Sequence, residues 1–138
     1  MNSICLFGDS IGKGVVLDAF RGRYTLLKNS FANLFSSSTG ISVENYSKFG
    51  CTVTTGKRII QKNLDKLSSF EYTVLEFGGN DCDFDWAAIS QNPDEHHSPK
   101  TEPEQFEFCY EKIIDCVASA GSQPILLSLP PLDAKRYF

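Results

Sequence analysis

Ser3-Ile4-Cys5-Leu6-Phe7-Gly8-Asp9-Ser10-Ile11-Gly12 is the stretch on which the fold turns. Ser3 to Phe7 is a short, continuous apolar run, the pattern of a strand buried on both faces. Gly8 ends it, and a polar Asp-Ser pair follows at a turn. The same grammar recurs downstream: Ile41 to Tyr46, Tyr72 to Phe77 (closed by Gly78-Gly79) and Pro124 to Leu129 read as three more strands. Val15 to Leu17 is a shorter apolar piece, an irregular or hairpin excursion before Gly22. Between the strands the period changes to that of a helix. From about Thr25, Leu27, Phe31, Leu34 and Phe35 fall on one helical face, stopped at Gly40. Thr54 or Thr55 is placed to cap a helix carrying Ile60, Leu64 and Leu67. Thr101 and Glu104 have capping-box spacing ahead of a helix with Phe106, Cys109, Tyr110, Ile113, Val117 and Ala120 on one face, ended by Gly121. Alternation of strand and helix predicts a parallel sheet with helices on both faces.

Length and charge narrow the classes. Residues 1–138 read as one domain, and a 41% hydrophobic share with 11 Phe supplies a real core. The 13 Lys and Arg against 17 Asp and Glu give a net charge of −4 with no basic block, so nucleic acid is not an expected partner. No apolar run approaches the ~18 residues of a membrane span. Ile4 to Phe7 is too short for a signal-peptide core, so Met1 reads as a true start and the compartment as cytoplasmic. Five cysteines (Cys5, Cys51, Cys82, Cys109, Cys116) with no C-x-x-C read as free, buried or half-buried thiols in a reducing compartment.

Ligands of such sheets bind beyond the carboxyl ends of the strands. Ser10 stands at the first of these ends. A serine at a glycine-flanked strand-to-helix turn offers an exposed Oγ beside backbone N–H groups, which suits a nucleophile; it equally suits a helix cap. Gly50, after the second strand, can bring a bare N–H close to a ligand, or simply supply a positive φ in a turn. Asn80, after the third, carries an amide donor for a developing negative charge, and Asn80-Asp81 is also a turn signal. The long polar stretch from Asn80 to Lys100 is of the length that is usually functional. Within it Asp81, Asp83 and Asp85 alternate as at the start of a calcium loop. Trp86 holds the place of the required glycine and no Glu closes the loop, so no metal is expected. Trp86 is read either as a wall of the substrate pocket or as a core residue.

Phe7-Gly8-Asp9-Ser10-Ile11, Asn45 through Gly50-Cys51-Thr52, and Gly78-Gly79-Asn80-Asp81, in this order over nearly the whole chain, resemble the sequence blocks of the SGNH hydrolases, the GDSL esterase/lipase family. Ile11 stands where the family usually has Leu. The resemblance implies a flavodoxin-like three-layer α/β/α sandwich and hydrolysis of a small-molecule ester without a cofactor. It implies Ser10 as nucleophile, with the Ser10 N–H, the Gly50 N–H and the Asn80 side chain as oxyanion hole, and Asp9 and Asp81 as supporting residues that orient the turns. The family's fourth block is an Asp-x-x-His near the C-terminus. Asp94 and His97 meet that spacing, but in a Pro-flanked loop ahead of a helix and strand that normally precede the block. The resemblance therefore implies that the catalytic base lies elsewhere and that the chain is a fragment lacking a strand and two helices, on the order of 50–70 residues. A fragment of that kind leaves a sheet edge open for self-association.

Two other functions are compatible with the pattern. Gly8-x-x-x-Gly12-Lys13-Gly14 is one residue short of a phosphate-binding loop and lacks its Ser/Thr. A flavodoxin-like nucleotide or flavin module remains an alternative on fold alone, and bound cofactor on purification distinguishes it. An inactive, self-associating fragment is the other alternative.

Overall fold

The computed structural model describes residues 3–133 and 135. Met1 and Phe138 lie outside them. Four parallel strands make the main sheet: β1 (Ser3–Gly8), β4 (Ser42–Asn45), β5 (Tyr72–Glu76) and β6 (Gln123–Leu126). Their order is β4-β1-β5-β6, with Leu6 opposite Asn45 on one side and Val74 on the other. A separate antiparallel hairpin, β2 (Val15–Asp18) with β3 (Arg23–Leu26), makes the excursion expected before Gly22 and carries it on past Gly22. The expected three-layer α/β/α architecture with a parallel sheet is the observed one.

The period of two in the strands decides which layer each side chain enters. Cys5, Phe7 and Leu75 face the main core, where α3 (Val53–Gln61), α4 (Leu64–Leu67) and α6 (Pro103–Ser119) contribute Val53, Ile60, Leu67, Cys109, Tyr110, Ile113 and Val117. Burying a side chain of this size is worth about 1.5–3 kcal/mol, so this face carries the fold. Ile4 and Leu6 face the other way, with Val43, Val74 and Ile125. Among the described residues that layer holds only α2 (Phe31–Thr39), whose Phe31, Ala32 and Phe35 border an apolar groove of about 280 Å3. No described helix is long and apolar enough to cross a membrane.

Several local expectations are corrected. The first long helix begins at Phe31, not near Thr25. Thr25 and Leu26 pair with β2, and Ser30 Oγ caps the helix by accepting from Asn33 N–H. Its Phe31, Leu34 and Phe35 stripe stays exposed, and only Ala32 is buried. Thr52, rather than Thr54 or Thr55, caps α3. The Thr101–Glu104 box does not form: Glu102 is the cap residue, and the Thr101 hydroxyl instead donates to Asp81 Oδ1 at 2.6 Å. Tertiary pairing thus takes a side chain that local spacing assigned to a cap. The Asn80–Lys100 stretch contains a short helix, α5 (Trp86–Gln91). β6 stops at Leu126, short of Leu129. Cys5, Cys51 and Cys109 are buried and Cys116 is half-buried, but Cys82 is exposed. All five thiols are free.

Candidate active site

The chain leaves β1 at Gly8 and enters a one-turn helix, α1 (Ser10–Lys13). Its cap is Asp9: the Oδ1 accepts the Ile11 N–H at 2.8 Å. The cap reading of Ser10 therefore does not hold. The capping bond is made by the preceding residue, so the half-buried Ser10 is spared the task, and its Oγ makes no hydrogen bond among the described residues. Gly12 packs closely here. A Cβ on it would meet Ser47 Oγ at 2.7 Å and Glu76 Oε2 at 2.9 Å.

Three strand ends are then tied together by side chains. Asn80 Nδ2 donates to Asp9 Oδ2 at 3.2 Å and to the Cys51 carbonyl at 3.1 Å. It thereby links the turns after β1, β4 and β5. Asp81, fully buried, accepts the Val53 N–H with both oxygens at 3.0 Å and the Thr101 hydroxyl. It anchors the start of α3 to the approach to α6. Gly50 has φ 69° in an exposed turn where Cys51 N–H bonds the Lys48 carbonyl. A residue with a side chain is strained in that conformation.

An open hollow of about 390 Å3 lies over Ser10. Ser10, Asp9 and Asn80 form its polar floor, and Phe84, Trp86, Leu129 and Leu132 its apolar walls. Trp86 is therefore a pocket wall, half-exposed, with its Nε1 donating to Asp83 Oδ1 at 2.9 Å. Lys100 pairs with Asp83 at 2.7 Å, and this bond holds the Asp83 carboxyl below its ordinary value. Gly50 does not line the hollow; its turn reaches the site through Cys51, whose carbonyl holds Asn80. Neither histidine lines it. His97 Nε2 lies 2.8 Å from the Asn92 carbonyl, within its own loop, and makes no bond to the exposed Asp94.

Glu76 is the residue that the reading from sequence missed. It ends β5, 4% exposed, and its Oε2 accepts the N–H groups of Asp9 and Gly12, both at 3.1 Å. Its Oε1 is buried without a hydrogen-bond partner among the described residues, as is Ser47 Oγ. Burial first, and then the charge of Asp9, push Glu76 up to about 7. Burial likewise raises Asp9. The signal was present as a carboxylate inside an apolar strand, Thr73-Val74-Leu75-Glu76-Phe77, where only a partnered acid is tolerated.

Neither a known sequence family nor a curated protein matches the chain. Solved structures do. TesA is 20% identical with a TM-score of 0.67, over 99% of this chain and 66% of that one. The lipase/acylhydrolase from Enterococcus faecalis is 23% identical with a TM-score of 0.67, over 99% and 62%. A putative lipolytic protein of the G-D-S-L family from Desulfitobacterium hafniense is 17% identical with a TM-score of 0.63, over 91% and 58%. The chain spans about two thirds or less of the length of these structures, and it has their fold.

Proposed function

We propose that this domain, residues 1–138, is a GDSL-type serine ester hydrolase domain in which Ser10 is the acyl-accepting nucleophile. The observation that carries the reading is the division of labour in the first turn. Asp9 makes the cap, which leaves Ser10 Oγ unbonded at the floor of a hollow with Asn80 beside it. The fold shared with lipases and acylhydrolases supports it. The Ser10 N–H and the Asn80 amide, both at the hollow, are assigned to the substrate oxyanion, with the Gly50 N–H added on the resemblance alone, and Asp9 and Asp81 to holding the turns. The substrate is a small ester whose acyl or alcohol part rests on Trp86, Leu129 and Leu132. A serine hydroxyl needs a base, and His97 is engaged in its own loop. The proposal puts the base outside the described residues and assigns none to Asp94 and His97. It also includes self-association of the chain, argued below.

The test is acylation by an activated ester. After incubation with p-nitrophenyl butyrate, mass spectrometry of the digested protein is expected to find the butyryl group on the peptide that contains Ser10. Without a base both steps are slow, but the activated ester lets p-nitrophenolate leave as solvent takes the Ser10 proton, and the adduct persists once formed. Ser10→Ala should remove that adduct and His97→Ala should leave it unchanged. Adducts on lysines alone would end the nucleophile assignment. Loss of the Ser10 adduct in His97→Ala would return the base to Asp94 and His97.

A further inference from the structure

On the far side of the first turn is a second hollow, of about 460 Å3. It lies between α1, the loop that follows β4, and α3 through Asn63. Lys13, Lys48, Arg58 and Lys62 line it, and no Asp or Glu does. The ion pairs among the described residues are Arg21–Asp18, Lys100–Asp83 and Lys112–Asp115. None of the four lining cations takes part in one. The acids that act nearby, Glu44 and Asp65, bear on Tyr46 and stay out of the lining. A chain of net charge −4 therefore gathers four unpaired cations around one concavity. They come from three separate segments, so no basic block exists in the sequence to announce them.

We infer that this hollow is a binding site for a phosphorylated small molecule, one carrying charge on the scale of a diphosphate. Like charges around a hollow repel across distances shorter than the screening length, and a multivalent anion relieves that repulsion. Arg58 offers a planar fork that fits two phosphoryl oxygens, and the three lysines act as mobile point charges. The Thr55 hydroxyl at the rim is a neutral donor of the kind that fixes orientation. A volume of this size holds a small molecule, not a polymer. The site is independent of the esterase reading, since none of its residues lies in the hollow over Ser10.

Calorimetric titration of the 138-residue protein with inorganic pyrophosphate, at low ionic strength, tests the site. Saturable binding is expected, weakened about tenfold or more in Arg58→Gln/Lys62→Gln, in line with the loss of charge-assisted bonds. Lys13→Gln/Lys48→Gln should weaken it similarly. Arg21→Gln/Lys112→Gln, which removes the same charge elsewhere, should leave it unchanged. Absence of binding, equal weakening in the control pair, or equal binding of sulfate at matched ionic strength would each overturn the site. So would binding to phosphatidylserine vesicles without binding to pyrophosphate.

Discussion

Both amide hydrogens of Asn80 are in use, one on Asp9 Oδ2 and one on the Cys51 carbonyl. In the proposed reaction an oxyanion forming on the substrate carbonyl would compete for one of them and win only as charge develops, the property required of a group that stabilises a transition state rather than a bound ester. Asn80→Ala is therefore expected to slow acyl transfer to Ser10 by about 10²–10³-fold. The ester concentration for half-maximal rate should hardly move. Removing both bonds also unties three turns, so thermal melts should register a loss of about 1–3 kcal/mol. A variant that shifts the half-saturating concentration and keeps the limiting rate would make Asn80 a turn or binding residue instead. At this scale an ordered set of blocks suggested the roles proposed for Ser10, Gly50 and Asn80. Glu76 was not legible, because its partners are backbone N–H groups of a turn more than sixty residues away.

The end of β5 acts as a clamp on the turn after β1. Glu76 receives two N–H groups from that turn with one oxygen and lies against Asp9 with its carboxyl. Asp9, Asp81, Cys51 and Tyr110 are the titratable groups that feel this cluster, and no lysine or arginine is among the partners of Glu76. Two charged carboxylates in this space repel, so the acid form of Glu76 is favoured there. The sign follows from linkage. Glu76 loses its proton at an ordinary carboxyl pH when unfolded and near 7 when folded. Between those limits the folded state holds the extra proton, and stability falls as pH rises. A rise from the ordinary carboxyl value to about 7 corresponds to on the order of 3 kcal/mol lost across the window, at about 1.4 kcal/mol per unit. Glu76→Gln keeps an oxygen for the two N–H groups and mimics the acid form. Urea melts should show a decline in stability from about pH 4.5 to 7 in the parent and a flatter profile in Glu76→Gln. Parallel profiles would remove Glu76 as the cause. Periodicity placed most elements because most of them bury one face. It failed at Thr25, Thr54 and Thr101, where a cross-strand pair, a neighbouring threonine and a buried aspartate overrode local spacing.

For the whole molecule, the two faces of the sheet are unequal. Behind one lies the closed core of α3, α4 and α6. In front of the other, Ile4, Leu6, Val74 and Ile125 meet only α2, and Phe35 and Leu127 at the groove stay about 40% exposed. Exposed patches of this kind drive association. The open edge of β6 is the less suited route. Gln123 and Leu127 direct their N–H groups inward to β5, so by alternation Pro124 occupies an outward position, where it has no N–H to offer. A second copy is therefore expected to dock face to face over the groove rather than extend the sheet. An isologous contact of that sort closes as a dimer. Sedimentation of the 138-residue protein should show a concentration-dependent dimer. Phe35→Glu or Leu127→Glu, each placing a charge in the buried contact, should weaken it by at least about tenfold, because an unpaired charge there loses its hydration. Gln123→Lys, on the strand edge, should have little effect. A monomer at every concentration would discard the association. A dimer that survives both groove variants and dissociates with Gln123→Lys would move it to the strand edge after all.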